Sequence, residues 1–142
     1  MWADTLLRAE QQHLVRLLIW AGLSIVAATA LATMLSARRV RSPLLRHFAL
    51  QMVVWGVTIG AIAAVGLATA GLRDVAGAAR LERLVWTNVG LAVGYVGIGA
   101  ALALSAWFPA RRMSLVGAGV GVMTQGLALL LIELQFAAIV SR

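Results

Sequence analysis

The sequence contains no cysteine and no lysine, and only five of its residues are acidic. The absence of cysteine excludes disulfides, thiol catalysis and cysteine metal sites. All basic residues are therefore arginine, and the net charge is +7 at pH 7. In a soluble protein this charge would indicate nucleic acid as a partner. Here the arginines flank long apolar runs, so we expect membrane lipid headgroups as their partners and no nucleic acid.

Four apolar runs make up most of the chain, and each is long enough to cross a bilayer. A spanning helix needs about 20 apolar residues to cross roughly 30 Å of hydrocarbon. A hydrophobic content of 62% with 12% charged residues is too high for a soluble domain. The connections are short, which predicts an all-α integral membrane bundle of four transmembrane helices with antiparallel neighbours, in one domain over residues 1–142. The predicted spans are about 17–35, 48–72, 84–108 and 113–138.

Several residues predict where the helices begin and end. Asp4 is a candidate N-cap for an amphipathic lead-in to the first span. Ser42-Pro43 predicts the start of the second helix, with Ser42 as its N-cap and Pro43 at the first helical position. Gly71 predicts the end of the second helix, and Asp74 is a candidate cap for the third. Pro109 predicts the end of the third helix.

The connections after spans one and three carry six arginines and no acid. The opposite side also carries six arginines, so the number of arginines does not decide the orientation. Four of the first set lie within nine residues, over 38–46, and this density favours the cytoplasm for that side and the outside for both termini. The composition is typical of a GC-rich bacterial genome, so we expect a multi-pass protein of the bacterial cytoplasmic (inner) membrane. The arginines expected at lipid headgroups are Arg38, Arg39, Arg41, Arg46, Arg111 and Arg112.

Small residues recur every four positions along spans two to four. In lipid, such stripes let helix backbones approach closely and gain dispersion contacts. They predict close packing inside the bundle, and the alternative is that one stripe faces a partner subunit. Span one has no glycine pair, so we expect it at the periphery. The glycines expected at helix contacts are Gly56, Gly60, Gly90, Gly94, Gly97, Gly117 and Gly121.

Seven polar side chains fall within spans two to four or at their ends. Polar groups are costly at this depth, so we expect them to point inward and hydrogen-bond to one another. One of them, Glu133, is the only intramembrane acid, and Arg16 or Arg142 is placed to neutralise it. The predicted polar interior consists of His47, Gln51, Thr58, Asn88, Tyr95, Gln125 and Glu133.

The sequence contains no Ser-His-Asp set, no cluster of metal ligands and no phosphate-binding loop, so we expect neither catalytic residues nor a metal site. No cofactor is predicted, although a bound lipid is expected. A haem held by His13 and His47 is excluded because the two residues precede spans one and two and so lie at opposite faces. A pigment or quinone contact at His47 stays open, as does a small transporter or channel that uses the polar interior as its path.

Four short strings of the chain stand out: His47-x3-Gln51-Met52-x2-Trp55, Leu81-Glu82-Arg83, Asn88-x-Gly90-Leu91-x-Val93-Gly94-Tyr95-Val96 and Gln125-Gly126. They resemble a small family of uncharacterised four-helix bacterial membrane proteins, a domain of unknown function. The resemblance extends from about His47 to Glu133 and implies the fold rather than an activity. The family's pattern has an aspartate where this chain has Ala92, and an asparagine where it has Ile59. Both differences make the interior of the bundle less polar than the family's pattern. They therefore favour a structural or accessory subunit, which packs with other membrane subunits or with copies of itself.

Overall fold

The fold is all-helical, as predicted from the four apolar runs. The computed structural model describes residues 2–108 and 111–141 and places four helices there, with no strand among these residues. Each helix is long and apolar enough to cross a membrane. The helices are α1 (Trp2–Ala37), α2 (Pro43–Thr69), α3 (Val75–Trp107) and α4 (Met113–Val140).

Two of the predicted helix starts are confirmed by their caps. The Ser42 hydroxyl accepts a hydrogen bond from the Leu45 N–H at 3.3 Å, and Pro43 is the first residue of α2. The Asp74 carboxylate accepts from the Gly77 N–H at 2.7 Å at the start of α3. Each cap satisfies a backbone donor that the first turn of a helix leaves without a partner.

Other helix ends differ from the expectation. Asp4 is not the N-cap of α1, because the helix begins at residue 2 and Asp4 lies in its first turn. There its negative charge still interacts favourably with the positive end of the helix dipole. The second helix ends at Thr69 rather than at Gly71, since the backbone is already extended at Ala70. The predicted stop at Pro109 lies outside the described residues.

The first helix is a packed member of the bundle, so the expectation of a peripheral anchor is wrong. It is 36 residues long and contacts both α2 and α4. Its buried side chains recur every three or four residues, which places them on one stripe. That stripe carries polar as well as apolar residues: Leu6, Ala9, Glu10, His13, Leu14, Leu17, Ala21, Ser24, Ala28 and Leu35.

Glycines bring α2 close to both α1 and α4. A Cβ atom on Gly56 would lie only 3.0 Å from the Ala21 carbonyl oxygen, and one on Gly60 would lie 3.5 Å from the Ala21 Cβ. On the other side, Gly117 lies against the Leu44 carbonyl, and a Cβ on Gly121 would lie 2.7 Å from the Cβ of Gln51. These four glycines therefore lie at helix contacts within the chain.

The third helix uses a different set of glycines from the one expected. A Cβ on Gly99 would lie 2.7 Å from the Gly119 carbonyl oxygen, so the backbones of α3 and α4 pack closely at this level. In contrast, Gly90, Gly94 and Gly97 have no neighbour within 4 Å of a Cβ built on them. These three form an exposed stripe on α3, and they set no helix contact within the described residues.

Helices α2 and α3 both pack on α4 but their backbones do not approach each other. A side-chain contact joins them where the rings of Trp55 and Tyr95 meet. The bundle therefore has an opening between α2 and α3, and the floor of that opening is formed by α1 and α4.

Candidate functional site

The opening between α2 and α3 leads into a cavity of about 500 Å³, which we call the intramembrane cavity. All four helices line it, and most of its wall is aliphatic. At its mouth, Ile62 on α2 and Leu84 on α3 are both more than half exposed. The polar side chains that reach it are Glu10, His13, Thr58, Arg73, Asn88, Tyr95 and Glu133.

Two aromatic rings close the cavity between α2 and α3. The centroids of Trp55 and Tyr95 lie 4.7 Å apart with an angle of 67° between the ring planes. This edge-to-face geometry is the favourable one for aromatic pairs. Trp55 lies in the middle of α2, so the cavity extends from the acidic end of the bundle to about half its depth.

Three polar side chains meet in the cavity wall, of which His13 and Glu133 are buried and Asn88 is exposed. His13 Nε2 lies 3.5 Å from Glu133 Oε1, and the Asn88 amide donates to the same oxygen at 3.5 Å. Only 6% of His13 and 4% of Glu133 is exposed. Both distances are long beside the 2.7–2.9 Å that is typical of a charge-assisted hydrogen bond. The three groups are thus close together without being tightly bonded.

Two atoms of this group are buried without a hydrogen-bond partner in the described structure. They are Nδ1 of His13 and Oε2 of Glu133. The ring of His13 stacks on Phe136, with the centroids 4.3 Å apart and the planes at 11°, and this contact fixes the orientation of the imidazole. An unsatisfied buried polar atom costs about 1–3 kcal/mol, so the arrangement favours an occupant that supplies hydrogen bonds.

An ion pair lies at the outer end of the cavity. Arg73 donates to both carboxylate oxygens of Glu10, at 2.9 and 2.5 Å, in the bidentate geometry that suits a guanidinium. The hydrogen bond with Glu10 raises the pKa of Arg73 against the opposing effect of desolvation. Arginine is charged in either case, so the pair neutralises Glu10, of which only 7% is exposed.

A second polar network lies deeper in the bundle and is fully bonded. The side chain of Gln125 is 0% exposed, and its Oε1 accepts from the Trp20 indole N–H at 2.7 Å. Its Nε2 donates to the Ser24 hydroxyl at 3.1 Å and lies 3.2 Å from the Met52 sulfur. Because the indole is a donor only, it fixes which end of the amide faces Trp20. This network joins α1, α2 and α4, and it does not line the cavity.

The predicted polar interior is thus divided among different places. Thr58, Asn88, Tyr95 and Glu133 line the cavity, while Gln125 belongs to the deeper network. The Thr58 hydroxyl donates to the backbone carbonyl of residue 54 in its own helix. Glu133 faces His13 rather than Arg16, whose guanidinium donates to Gln135. The other predicted partner of Glu133, Arg142, lies outside the described residues.

Two of the predicted residues lie elsewhere. His47 is exposed near the start of α2, and its Nδ1 lies 2.9 Å from the Pro43 carbonyl oxygen. It is therefore not part of the interior, because the first turn of α2 directs the ring to the surface. Gln51 is half-buried beside Gly121 and lines neither the cavity nor the deeper network.

The sequence reasoning did not identify the contribution of α1 to the site. Glu10 and His13 precede the first predicted span, so hydropathy placed them outside the bundle. A signal was nevertheless present, because both residues fall on the same helical stripe as Leu6, Leu14 and Leu17. Polar residues on an otherwise apolar stripe indicate buried polar groups.

The chain matches one protein-family model. The match covers residues 16–134, and the family is described as a family of unknown function, DUF6992. No curated protein and no solved structure matches the chain. The resemblance to an uncharacterised family of four-helix membrane proteins is thereby confirmed.

Proposed function

The chain belongs to the DUF6992 family, whose function is unknown, and we propose from its geometry that it is a non-catalytic membrane protein that binds an amphipathic small molecule in the intramembrane cavity. The observation that carries this proposal is the pair of unpartnered atoms, His13 Nδ1 and Glu133 Oε2, in the wall of that cavity. Both atoms have almost no accessible surface, so the polar head of the ligand would bond to the exposed Asn88 amide, and to these atoms once small side-chain shifts uncover them.

The size and lining of the cavity support a small-molecule ligand. Binding pockets for such molecules measure about 300–1,000 Å³ and are mostly apolar with a few convergent polar groups. The apolar part of the ligand would lie against Leu14, Leu17 and Ile59, which line the same cavity. The opening between α2 and α3 gives it a lateral path from the lipid, so the ligand need not leave the membrane.

The test is the recovery of a small molecule with the protein. The protein is extracted from its own membranes in a mild detergent and examined by native mass spectrometry, with identification of whatever dissociates from it. We expect a bound amphipathic molecule in the wild type and its loss in Thr58→Phe, which places a ring in the cavity. Val57→Phe is the matched control, because Val57 is 57% exposed and does not line the cavity.

Two results would contradict the binding proposal. One is a wild-type protein that carries no small molecule from its native membranes. The other is an equal loss in Thr58→Phe and Val57→Phe, which would indicate a general effect of an added ring. Circular dichroism of each variant separates loss of binding from loss of the fold.

A second function, that of an accessory subunit, is favoured by the exposed stripe of Gly90, Gly94 and Gly97. A small-residue stripe that has no neighbour among the described residues suits close approach of a helix from another membrane subunit or from a second copy. Crosslinking in native membranes tests it. Gly94→Leu should abolish a crosslinked species that the wild type forms, whereas a wild type without any such species would exclude this function.

Transport through the bundle has weaker support than binding. The cavity ends at Trp55 and Tyr95, and the polar atoms of the Gln125 network beyond are already bonded to one another. A pigment or quinone at His47 is also disfavoured, since the ring is exposed and bonded within its own helix.

For the location we propose a bacterial inner membrane, with the cluster over residues 38–46 in the cytoplasm and both termini outside. The support is the density of arginines in this connection together with the positive-inside rule. Cysteine-accessibility labelling of a single cysteine placed at residue 40 tests it, because the chain has no other cysteine. If the cysteine at residue 40 is labelled from outside in intact cells, this connection lies outside the cytoplasm and the proposed orientation is wrong.

A further inference from the structure

The charges of the chain are segregated between the two ends of the bundle. All five acidic residues lie toward the end that holds the start of α1 and the end of α4: Asp4, Glu10, Asp74, Glu82 and Glu133. The opposite end carries six arginines and no acid: five lie in the α1–α2 and α3–α4 connections, and Arg46 lies in the first turn of α2. The counter-charge for this end must therefore come from outside the chain.

Three of these arginines line one groove between α1 and α2. Arg39, Arg41 and Arg46 lie at its mouth, and the groove has a volume of about 770 Å³. No carboxylate pairs with any of the three in the part of the chain that the structure describes. They are thus available to an anionic group, and a guanidinium suits the oxygens of a phosphate in particular.

The rest of the groove is apolar and follows the helices into the membrane. Its wall runs along α1 from Ala28 to Leu35 and along α2 from Ala49 to Val53. From Ala28 to the end of α1 is roughly 14 Å at 1.5 Å per residue, close to the depth of one leaflet. The hydroxyls that line it are already committed, because each donates to a carbonyl of its own helix. An acyl chain matches this wall, and a free inorganic anion does not.

The backbone at Arg39 is held in an unfavourable conformation. The Arg39 N–H donates to the Ser36 carbonyl and the Val40 N–H to the Leu35 carbonyl, which is the Schellman pattern of a helix end. In this pattern the position of Arg39 is normally taken by glycine, because its φ is positive, and here φ is 52°. The chain thus carries an arginine where glycine would stabilise the turn, and strain of this kind is most often kept at functional positions.

We propose that this groove binds one anionic phospholipid, with its phosphate on Arg39, Arg41 and Arg46 and an acyl chain along the apolar wall. This site is separate from the intramembrane cavity and goes beyond the function proposed above, since it lies at the other end of the bundle between other helices. The ligand class follows from the unpaired arginines and the apolar groove that continues from them.

The first test compares lipids on the full-length protein in detergent by native mass spectrometry. Phosphatidylglycerol should bind with a single tight stoichiometry, whereas phosphatidylcholine should not, although both carry a phosphate. Each arginine near a membrane contributes a factor of about five, so Arg41→Gln with Arg46→Gln should weaken phosphatidylglycerol about 25-fold. The matched control is Arg80→Gln with Arg83→Gln, two exposed arginines at the acidic end, which should change the affinity less than twofold.

The second test separates the headgroup from the acyl chain. Ala32→Trp fills the groove without removing a charge and should weaken binding by at least about tenfold, whereas Ala30→Trp, on the lipid-facing side of α1, should not. If inorganic phosphate competes for the site and Ala32→Trp has no effect, the site holds a free anion and the proposal is overturned. Equal losses in the two arginine double variants would overturn it as well, because they would indicate diffuse charge.

The third test uses the strained turn. Arg39→Gly should raise the Tm in lipid-free detergent by about 4 °C, because glycine accepts the positive φ. The same variant should weaken phosphatidylglycerol about fivefold. A more stable variant with unchanged lipid affinity would show that Arg39 has no part in binding and would overturn its assignment.

Discussion

Replacing Gln125 with leucine should destabilise the bundle, because this buried side chain joins three helices by hydrogen bonds. Gln125→Leu keeps nearly the same volume but removes the acceptor of Trp20 and the donor to Ser24. The Ser24 hydroxyl can turn to a carbonyl of its own helix, whereas the Trp20 N–H has no such alternative. The main cost therefore arises at the indole.

The magnitude follows from the value of hydrogen bonds in a bilayer. Each interhelical bond contributes about 0.6 kcal/mol on average and up to about 1.7 kcal/mol, and an orphaned buried donor costs about 1–3 kcal/mol. We expect Gln125→Leu to lower the free energy of unfolding by about 2 kcal/mol. The assay is reversible unfolding in mixed micelles with rising sodium dodecyl sulfate, followed by circular dichroism.

A double-mutant cycle makes the prediction specific to the Trp20–Gln125 bond. Once Gln125 is leucine, Trp20→Phe removes the orphaned donor, so it should cost at least about 1 kcal/mol less than it does in the wild type. Gln135→Leu is the control, since Gln135 is exposed and bonds only to Arg16, and it should change stability by less than about 0.5 kcal/mol. The reasoning is refuted if Gln125→Leu is neutral or if Trp20→Phe costs the same in both backgrounds.

Three further variants test the packing, a cap and the ion pair, each by the same unfolding assay. Gly99→Val should lower the free energy of unfolding by about 3 kcal/mol, because the valine side chain would meet the backbone of α4. Gly94→Val is the control and should be tolerated in the monomer. Equal effects of the two variants would contradict the α3–α4 contact. Asp74→Ala should cost about 1 kcal/mol through loss of the N-cap of α3, and no change would show that the cap is not used. Arg73→Gln should lower the free energy of unfolding by about 1–2 kcal/mol, because it leaves the carboxylate of Glu10 buried without its partner. Adding Glu10→Gln to this variant should recover part of the lost stability. If the second substitution lowers stability further, the ion pair is not the cause of the loss.

The sequence was sufficient to predict the helices, because span length and capping depend on local residues. Ser42 and Asp74 cap the helices as expected, and each side chain acts on a backbone N–H three residues away. The family, too, was recognisable from short strings in the chain. The helix bounds, the caps and the family strings all depend on residues that are near one another in the sequence, so none of them requires knowledge of the contacts between helices.

The faces of the helices were harder to predict, since small residues occur on more than one side of α3. Gly94 and Gly97 belong to a stripe as regular as the one that contains Gly99, yet only Gly99 packs on α4. Spacing shows which residues share a face, but it does not show which face meets a neighbour. Only the shape of the opposing helix decides this.

The candidate site was predicted in part for a related reason. Asn88, Tyr95 and Glu133 lie within predicted spans and were therefore examined as polar residues at depth. Their partner His13 lies four residues before the first predicted span, because α1 continues as one helix well beyond the apolar run. A boundary drawn from hydropathy thus separated two side chains that the fold places 3.5 Å apart.

The most direct test of the central claim is a crystal structure of the protein grown from a lipid mesophase after extraction with its native lipids. The claim predicts elongated non-protein density in the intramembrane cavity, with its polar end within hydrogen-bond distance of His13 Nδ1 and Glu133 Oε2 and its apolar end against Ile59 and Ile62. A cavity without such density, or an α2 that closes against α3 and leaves no cavity, would contradict it.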